Sequence, residues 1–215
     1  MWNNLRNRTF GPTRRLNKRV LKTALALGLT IPLLQGCATA LLGGGIAAVA
    51  AVAAVVHERR DSRTILEDEH TEHLAIRLSA DNPDIGEHSR IAITSYDHLV
   101  LLTGQAETRS IRDRFAHEVA RLPKVEKVVN EITIGPPISL ARESKDALIT
   151  SRVKLALTKV EIPGFGASQV KVVTEAGAVF LMGLVYPWEG DAAAEKARYV
   201  RGATKVVKVF KYIKP

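Results

Sequence analysis

The sequence predicts an α+β fold made of two tandem copies of one αββαβ unit, in which two helices cover a three-stranded mixed sheet. The first observation is an internal repeat. Residues 89–104 read SRIAITSYDHLVLLTG, and 79 positions later residues 168–183 read SQVKVVTEAGAVFLMG. Each copy has an alternating apolar run, a polar turn, a second apolar run and a closing glycine, which is the pattern of a β-hairpin. The second observation is that helix-period segments flank each hairpin and that another alternating run follows.

The elements of the two copies come in the same order. The hairpin turns are predicted at residues 95–98 and 175–177, and Pro123 ends the helix that follows the first hairpin. Because a unit of about 70 residues is small for independent stability, we expect the two units to pack together. The predicted helices are 65–80, 107–122, 144–160 and 189–202, and the predicted closing strands are 125–134 and 205–213.

The repeat also sets the domain plan. We predict one domain at 64–134 and a second at 143–215, joined by a linker at 135–142. The linker contains Gly135-Pro136-Pro137, which should be extended and stiff. Ahead of the first domain we predict a leader at 1–36 and a tether at 37–63.

The leader ends in Leu34-Gln35-Gly36-Cys37, which includes the only cysteine of the chain and resembles a bacterial lipobox at each position. A cationic stretch and then an apolar run precede it, as in a signal peptide. A cysteine is the residue that lipidation requires, because its thiolate is a strong nucleophile near neutral pH. We therefore predict that residues 1–36 are removed and that Cys37 becomes a lipid-bearing N-terminus. The alternative is a small buried cysteine.

Residues 38–56 form a second uncharged run, rich in alanine and glycine. Its length would allow a membrane span, but three consecutive glycines weaken a helix. We interpret the run as a tether near the bilayer surface, with a transmembrane anchor as the alternative. In lipoprotein sorting, an aspartate after the cysteine usually retains the protein in the inner membrane. Ala38 stands there instead, which predicts a lipid-anchored protein on the periplasmic face of the outer membrane.

The net charge of +9 would suggest nucleic-acid binding if it belonged to the folded part. However, residues 1–36 contain seven cationic side chains and no acidic ones, so their removal leaves a net charge of +2. The excess of positive charge is mostly a property of the leader. We therefore expect no nucleic-acid partner.

The unit order, the glycine that closes each hairpin and the final Lys-Val-Val-Asn of the first copy (127–130) resemble the BON domain. The stretch VKVVTEAGAVFLMGLV at 170–185 is similar to the second BON domain of dual-BON outer-membrane lipoproteins, whose lipobox, Ala-rich tether and two domains match the layout here. One departure is Lys208, which replaces the closing asparagine in the second copy. The resemblance implies a periplasmic, non-enzymatic protein that binds phospholipid and supports envelope integrity and cell division.

The two domains differ in charge, with a net −5 over residues 64–134 and a net +6 over residues 140–215. Anionic phospholipid should therefore be attracted to the second domain, although salt screens this attraction. At 100° per residue, one strip of its first helix mixes two leucines with cations beside a core stripe of Ile149, Val153, Ala156 and Val160. Such a strip suits a lipid headgroup boundary, and its alternative is a wide core stripe whose edge cations extend into water. The predicted phospholipid-binding residues are Lys145, Leu148, Arg152, Leu155 and Lys159.

The sequence contains no constellation that indicates an enzyme, a cofactor or a small-molecule substrate. His70 and His73 share a helix face with two glutamates, which is either a weak metal site or a solvated acidic face. Trp188 and Phe165 are candidates either for interfacial contact or for packing. The main alternative to a phospholipid-binding lipoprotein is a structural adaptor that binds an envelope protein through its acidic first domain.

Overall fold

The computed structural model describes residues 58–214. The lipobox, Cys37 and the tether at 38–56 lie outside the described residues. The first domain contains α1 (Ser62–Ala80), α2 (Pro83–Gly86), β1 (Ser89–Tyr96), β2 (Leu99–Ala106), α3 (Arg109–Val119), β3 (Lys127–Asn130) and β4 (Thr133–Ile134). The second contains α4 (Leu140–Leu157), a 3₁₀ turn (Ala167–Gln169), β5 (Val170–Glu175), β6 (Ala178–Val185), α5 (Pro187–Arg198) and β7 (Lys205–Tyr212).

Both sheets have the predicted mixed topology. Within each domain the hairpin is antiparallel, and the closing strand runs parallel to the second hairpin strand, giving the orders β1-β2-β3 and β5-β6-β7. The central strand is therefore the second hairpin strand in each copy. The predicted fold class, two αββαβ units each with a mixed sheet and covering helices, is confirmed.

Each hairpin closes with a two-residue turn formed by the last two residues of the predicted turn. Asp97 and His98 have φ of 51° and 65°, and Ala176 and Gly177 have φ of 48° and 81°. Positive φ at both central residues is the requirement of a type I′ turn, whose twist matches that of the flanking strands.

The repeated glycine at the end of each hairpin is explained by close backbone approach. A Cβ on Gly104 would lie 2.0 Å from the carbonyl oxygen of Arg90, and one on Gly183 would lie 2.7 Å from that of Gln169. Gly104 also has a φ of +111°. Glycine is thus needed at both positions, because a backbone carbonyl of the opposite segment lies too close for a Cβ atom.

Several local features differ from the sequence prediction, among them the end of the last helix at Arg198 rather than at residue 202. The closing strand of the first domain is divided into β3 and β4, since the amide of Ile132 donates to the Asn130 side chain (3.2 Å) rather than continuing the ladder. The short helix α2 was not predicted. Helix α4 starts earlier than expected because Ser139 caps it, its hydroxyl accepting from the amide of Arg142.

The helices of each domain cover one face of their own sheet. In the first domain Phe115 and Val119 of α3 pack on Val100 and Leu102 of β2. In the second domain Ile149, Val153 and Leu157 of α4 join Val179 and Leu181 of β6 in an equivalent core. Ala156, assigned to the core stripe from sequence, is only partly buried.

The opposite faces of the two sheets pack on each other. Tyr96 and Leu101 of the first domain form a third core with Phe180, Met182 and Val209 of the second. Residues 58–214 thus form four layers, helix–sheet–sheet–helix, and the expected packing of the two units is observed. Between residues 58 and 214, no helix is both long and apolar enough to cross a membrane.

Ion pairs surround this shared core. Cations of the second domain meet carboxylates of the first in the pairs Lys171–Glu72 (3.1 Å), Lys205–Glu131 (3.2 Å) and Lys211–Glu126 (2.8 Å). Part of the opposite net charge of the two domains is therefore neutralised by ion pairs between them.

The last residues of the predicted tether are built into the junction between the domains. Arg59 Nη2 donates to Glu189 Oε1 of the second domain (2.8 Å). Arg60 Nη1 donates to Asp68 Oδ2 of the first (2.8 Å), and its guanidinium lies 3.7 Å from the centre of the Tyr96 ring. Residues 58–60 are thus a clasp across both domains, whereas the sequence alone assigned them to the tether.

Candidate lipid-contacting surface

On the first helix of the second domain, the two leucines of the predicted lipid-contacting strip are exposed. Ile149, Val153 and Leu157 are buried on one side of α4, which fixes the rotation of the helix. Leu148 and Leu155 then project outward and are 56% and 63% exposed. Because two leucines on one helix face are more than half exposed, this face is a candidate contact surface.

A cavity of about 400 Å³ lies beside Leu148. Leu148 and Ile149 form its apolar part, and the rest is mainly cationic. The cations around it are Arg142, Lys145, Arg152 and Arg201. A phosphate group could be approached by several of these side chains at once, while an acyl chain attached to it followed the leucines.

Most of these cations have no counter-charge in the described part of the chain. Lys145, Arg152 and Arg201 form no ion pair there, and Arg152 Nη1 donates instead to the carbonyl oxygen of Arg201 (3.2 Å). Arg142 lies 3.4 Å from the buried Asp146, which makes it the least available of the four. The surface therefore carries excess positive charge next to exposed apolar area.

Sequence reasoning identified part of this surface. Lys145, Leu148 and Arg152 line the cavity together, as their spacing on one helix suggested. Leu155 and Lys159 are exposed but lie outside the cavity, towards the C-terminal end of α4. Whether lipid contacts all five stays a prediction.

Arg201 was missed because it is distant in sequence from α4. It lies in the turn between α5 and β7, where Gly202 has a φ of +100° and a Cβ added there would lie 3.0 Å from Ile149 Cγ1. The close contact of this turn with the helix brings Arg201 to the cavity. The turn glycine is the only signal in the sequence, and it does not reveal which helix the turn meets.

The candidate aromatic residues have different environments. The Trp188 ring is stacked on Tyr186, with centroids 4.7 Å apart, and remains half-exposed. Phe165 packs against the core of the second domain, as the packing alternative expected. No cluster of three metal-ligating side chains, including any around His70 and His73, occurs between residues 58 and 214.

These features define a tandem pair of BON domains, and the BON-domain family model matches residues 68–136 and 145–214. The chain belongs to the BON-domain family. It is 37% identical to the outer membrane lipoprotein DolP of Haemophilus influenzae over 89% of this chain and 96% of that protein. It is also 40% identical to a 21 kDa hemolysin of Actinobacillus pleuropneumoniae over 72% of this chain and 78% of that protein. The resemblance to dual-BON lipoproteins noted from sequence is thereby confirmed.

Among solved structures, the C-terminal domain of CdsD, a structural protein of the type III secretion system of Chlamydia trachomatis, matches with a TM-score of 0.27 and 14% identity. That match covers 68% of this chain and 67% of the other. A similarity at this level supports no conclusion about function.

Proposed function

We propose that this protein is a lipid-anchored lipoprotein on the periplasmic face of the outer membrane, and that its second BON domain binds anionic phospholipid through α4. The observation that carries the proposal is the position of two exposed leucines beside three cations that have no ion-pair partner in residues 58–214. The leucines would enter the outer part of the acyl layer, and Lys145, Arg152 and Arg201 would meet headgroup phosphates.

The energy of such a contact is modest. Each cation near an anionic surface contributes about 1 kcal/mol or less, and a partly buried leucine contributes about as much again. Binding by the surface alone would therefore be weak and sensitive to salt. A lipid anchor at Cys37 would raise the effective concentration of the domain at the membrane, so that a weak contact is sufficient.

The lipid contact can be tested by co-sedimentation of the fragment 57–215 with vesicles. We expect binding to phosphatidylglycerol vesicles, little binding to phosphatidylcholine vesicles, and loss of binding at high salt. The double variant Lys145→Glu/Arg152→Glu should bind at least about tenfold more weakly. Leu148→Ser/Leu155→Ser should also weaken binding, because it removes the apolar contribution.

Lys196→Glu is the matched control for the single variant Lys145→Glu, since each reverses one charge and Lys196 is an exposed residue of α5 that does not line the cavity. It should leave binding nearly unchanged. Equal losses from the α4 and α5 variants would mean that net charge alone drives the association, which would contradict a defined surface.

The anchor can be tested by mass spectrometry of the mature N-terminal peptide from cells. We expect a peptide that begins at Cys37 and carries acyl groups. An unmodified thiol in a chain that retains residues 1–36 would contradict the proposal. In a deletion strain we expect leakage of periplasmic proteins and division defects, restored by the native chain but not by Cys37→Ser.

A further inference from the structure

A second cavity lies on the other flank of α4, between the two domains. Its volume is about 480 Å³. Tyr96 and Arg60 form the wall on the side of the first domain, Lys154 and Thr158 of α4 form the opposite wall, and the segment 170–172 of β5 lies along it. At 100° per residue, Lys154 lies far from Arg152 around α4, so this cavity is separate from the lipid-contacting surface.

The cavity follows the open edge of a sheet. β5 is the edge strand of its sheet and pairs only with β6. Side chains of successive strand residues point to opposite faces, yet all of Val170, Lys171 and Val172 line the cavity. A single space can touch both faces of a strand only when it runs along the strand edge.

The hairpin register shows which backbone groups point to this edge. Glu175 and Ala178 close the two-residue turn and are therefore a hydrogen-bonded pair. Alternation along an antiparallel ladder then turns the N–H and C=O groups of Thr174 and Val172 outward. Val172 thus presents its backbone donor and acceptor to the cavity.

At one position of the equivalent edge the first domain covers an outward backbone N–H with a carboxylate, and the second domain does not. The outward N–H of Ser95 in β1 donates to the carboxylate of Glu72 from α1 (2.7 Å). At the corresponding place α4 carries Thr150, whose hydroxyl bonds to the hydroxyl of Thr174 (2.7 Å) and not to the backbone. The β5 edge therefore lacks the carboxylate that covers the edge of β1.

The rim of the cavity is predominantly cationic. Arg60, Lys154 and Lys171 line it together with one acidic residue, Glu58. Arg60 is bonded to Glu58 and Lys171 to Glu72, whereas Lys154 has no ion-pair partner in residues 58–214. Lysines beside an edge strand discourage unspecific pairing, so a segment that pairs here should carry carboxylates that offset them.

We propose that the β5 edge binds an extended, acidic peptide segment of another protein by strand addition. The backbone of Val172 would hydrogen-bond the segment, and Lys154 would pair with one of its carboxylates. Because α4 separates this cavity from the lipid-contacting surface, one molecule could hold a peptide and a membrane at the same time.

The test is fluorescence anisotropy of labelled synthetic peptides, titrated with the protein extracted from cells in detergent micelles. We expect saturable binding of a peptide of about seven residues that alternates valine and glutamate, and none of its lysine counterpart. Lys154→Glu should weaken binding about fivefold, and Thr158→Trp, which fills the cavity, should abolish it. Lys196→Glu, on α5, should leave the affinity unchanged.

A backbone-modified peptide separates strand addition from simple charge attraction. Two peptides are compared, one N-methylated at the odd-numbered amides and one at the even-numbered amides. Both keep their charge, but only one of these two phases loses the N–H donors that face β5. Loss of binding in one phase only supports the proposal. Equal binding in both phases, or no binding of the glutamate peptide up to about 1 mM, overturns it. Displacement of the peptide by phosphatidylglycerol that depends on Lys154 would assign the cavity to lipid and also overturn it.

Discussion

At the scale of residues, a buried aspartate in the first helix of each domain holds the hairpin turn. Asp68 accepts hydrogen bonds from the amides of Asp97 (2.7 Å) and His98 (2.9 Å) and from the hydroxyl of Ser95 (2.7 Å). Its counterpart Asp146 accepts from the amide of Gly177 (2.9 Å), but its Oδ2 is buried without a hydrogen-bond partner. Both carboxylate oxygens of the aspartate thus accept hydrogen bonds in the first copy, whereas only one of them does in the second.

This difference gives a matched pair of substitutions. Asp68→Asn replaces an acceptor oxygen by an amino group that faces donors, and we expect it to lower the free energy of unfolding by about 2 kcal/mol. Asp146→Asn should lower it by less than about 1 kcal/mol, because the replaced oxygen has no partner to lose. Urea unfolding of both variants measures the values, and the opposite order would refute this account of the turns.

At the scale of elements, β2 and β6 are buried on both faces. Leu101 of β2 contacts the sheet of the second domain, while its neighbour Leu102 contacts the helices of its own domain. This explains why these strands read as nearly continuous apolar runs, a pattern that is typical of strands with both faces covered. A strand with one solvent-exposed face would instead alternate apolar and polar residues.

Because the sheets share a core, we expect the domains to unfold as one unit. Leu101→Ala and Leu102→Ala each leave a cavity and should destabilise the fold by about 2–5 kcal/mol. In the fragment 57–215, Trp188 is the only tryptophan and lies in the second domain. Both substitutions in the first domain should shift the urea transition followed by its fluorescence. An unchanged midpoint would show that the domains are independent.

At the scale of the whole molecule, some cations of the second domain pair with the first domain and others remain on the surface. Lys171, Lys205 and Lys211 pair with carboxylates of the first domain, while Lys145 and Arg152 remain without ion pairs in the described chain. The acidity of the first domain is therefore partly complementary to the second domain. That reduces the support for a separate adaptor role of the acidic domain, which stays a prediction.

The clasp of residues 58–60 also acts on the whole molecule. The side chain of Glu189 is 2% exposed and meets Arg59 across the junction. Burial alone would raise the pKa of Glu189, but the hydrogen bonds from Arg59 and from the Tyr186 amide outweigh it, and the net pKa is lowered. The pair therefore stabilises the fold only while Glu189 is ionised.

We expect the fragment 57–215 to be more stable than 62–215 by about 3 kcal/mol at neutral pH, because truncation leaves buried carboxylates without partners. A carboxylate with a lowered folded-state pKa contributes fully above its ordinary value of 4.5, and the contribution is lost as the pH falls through the folded value. Thermal unfolding should thus show a stability difference that shrinks below about pH 4.5. Arg59→Met should reproduce the second-domain part of the effect, and a pH-independent difference would contradict it.

The sequence by itself determined the repeat, the hairpins and the exposed strip on α4. Hydrophobic period, turn residues and closing glycines are local signals, and both copies repeated them. Helical spacing also placed Lys145, Leu148 and Arg152 on one face of α4, because the number of residues between two positions on a helix fixes the angle between their side chains.

Only the tertiary structure decided what covers the second face of each sheet, where Arg201 lies, and how residues 58–60 join the domains. These features depend on contacts between segments far apart in the chain. Arg59 and Glu189 are 130 positions apart, and no periodicity in the sequence relates them. The open edge of β5 could not be predicted for the same reason. A strand is at the edge of a sheet only if no other segment pairs with its second side, and that depends on the arrangement of all the strands.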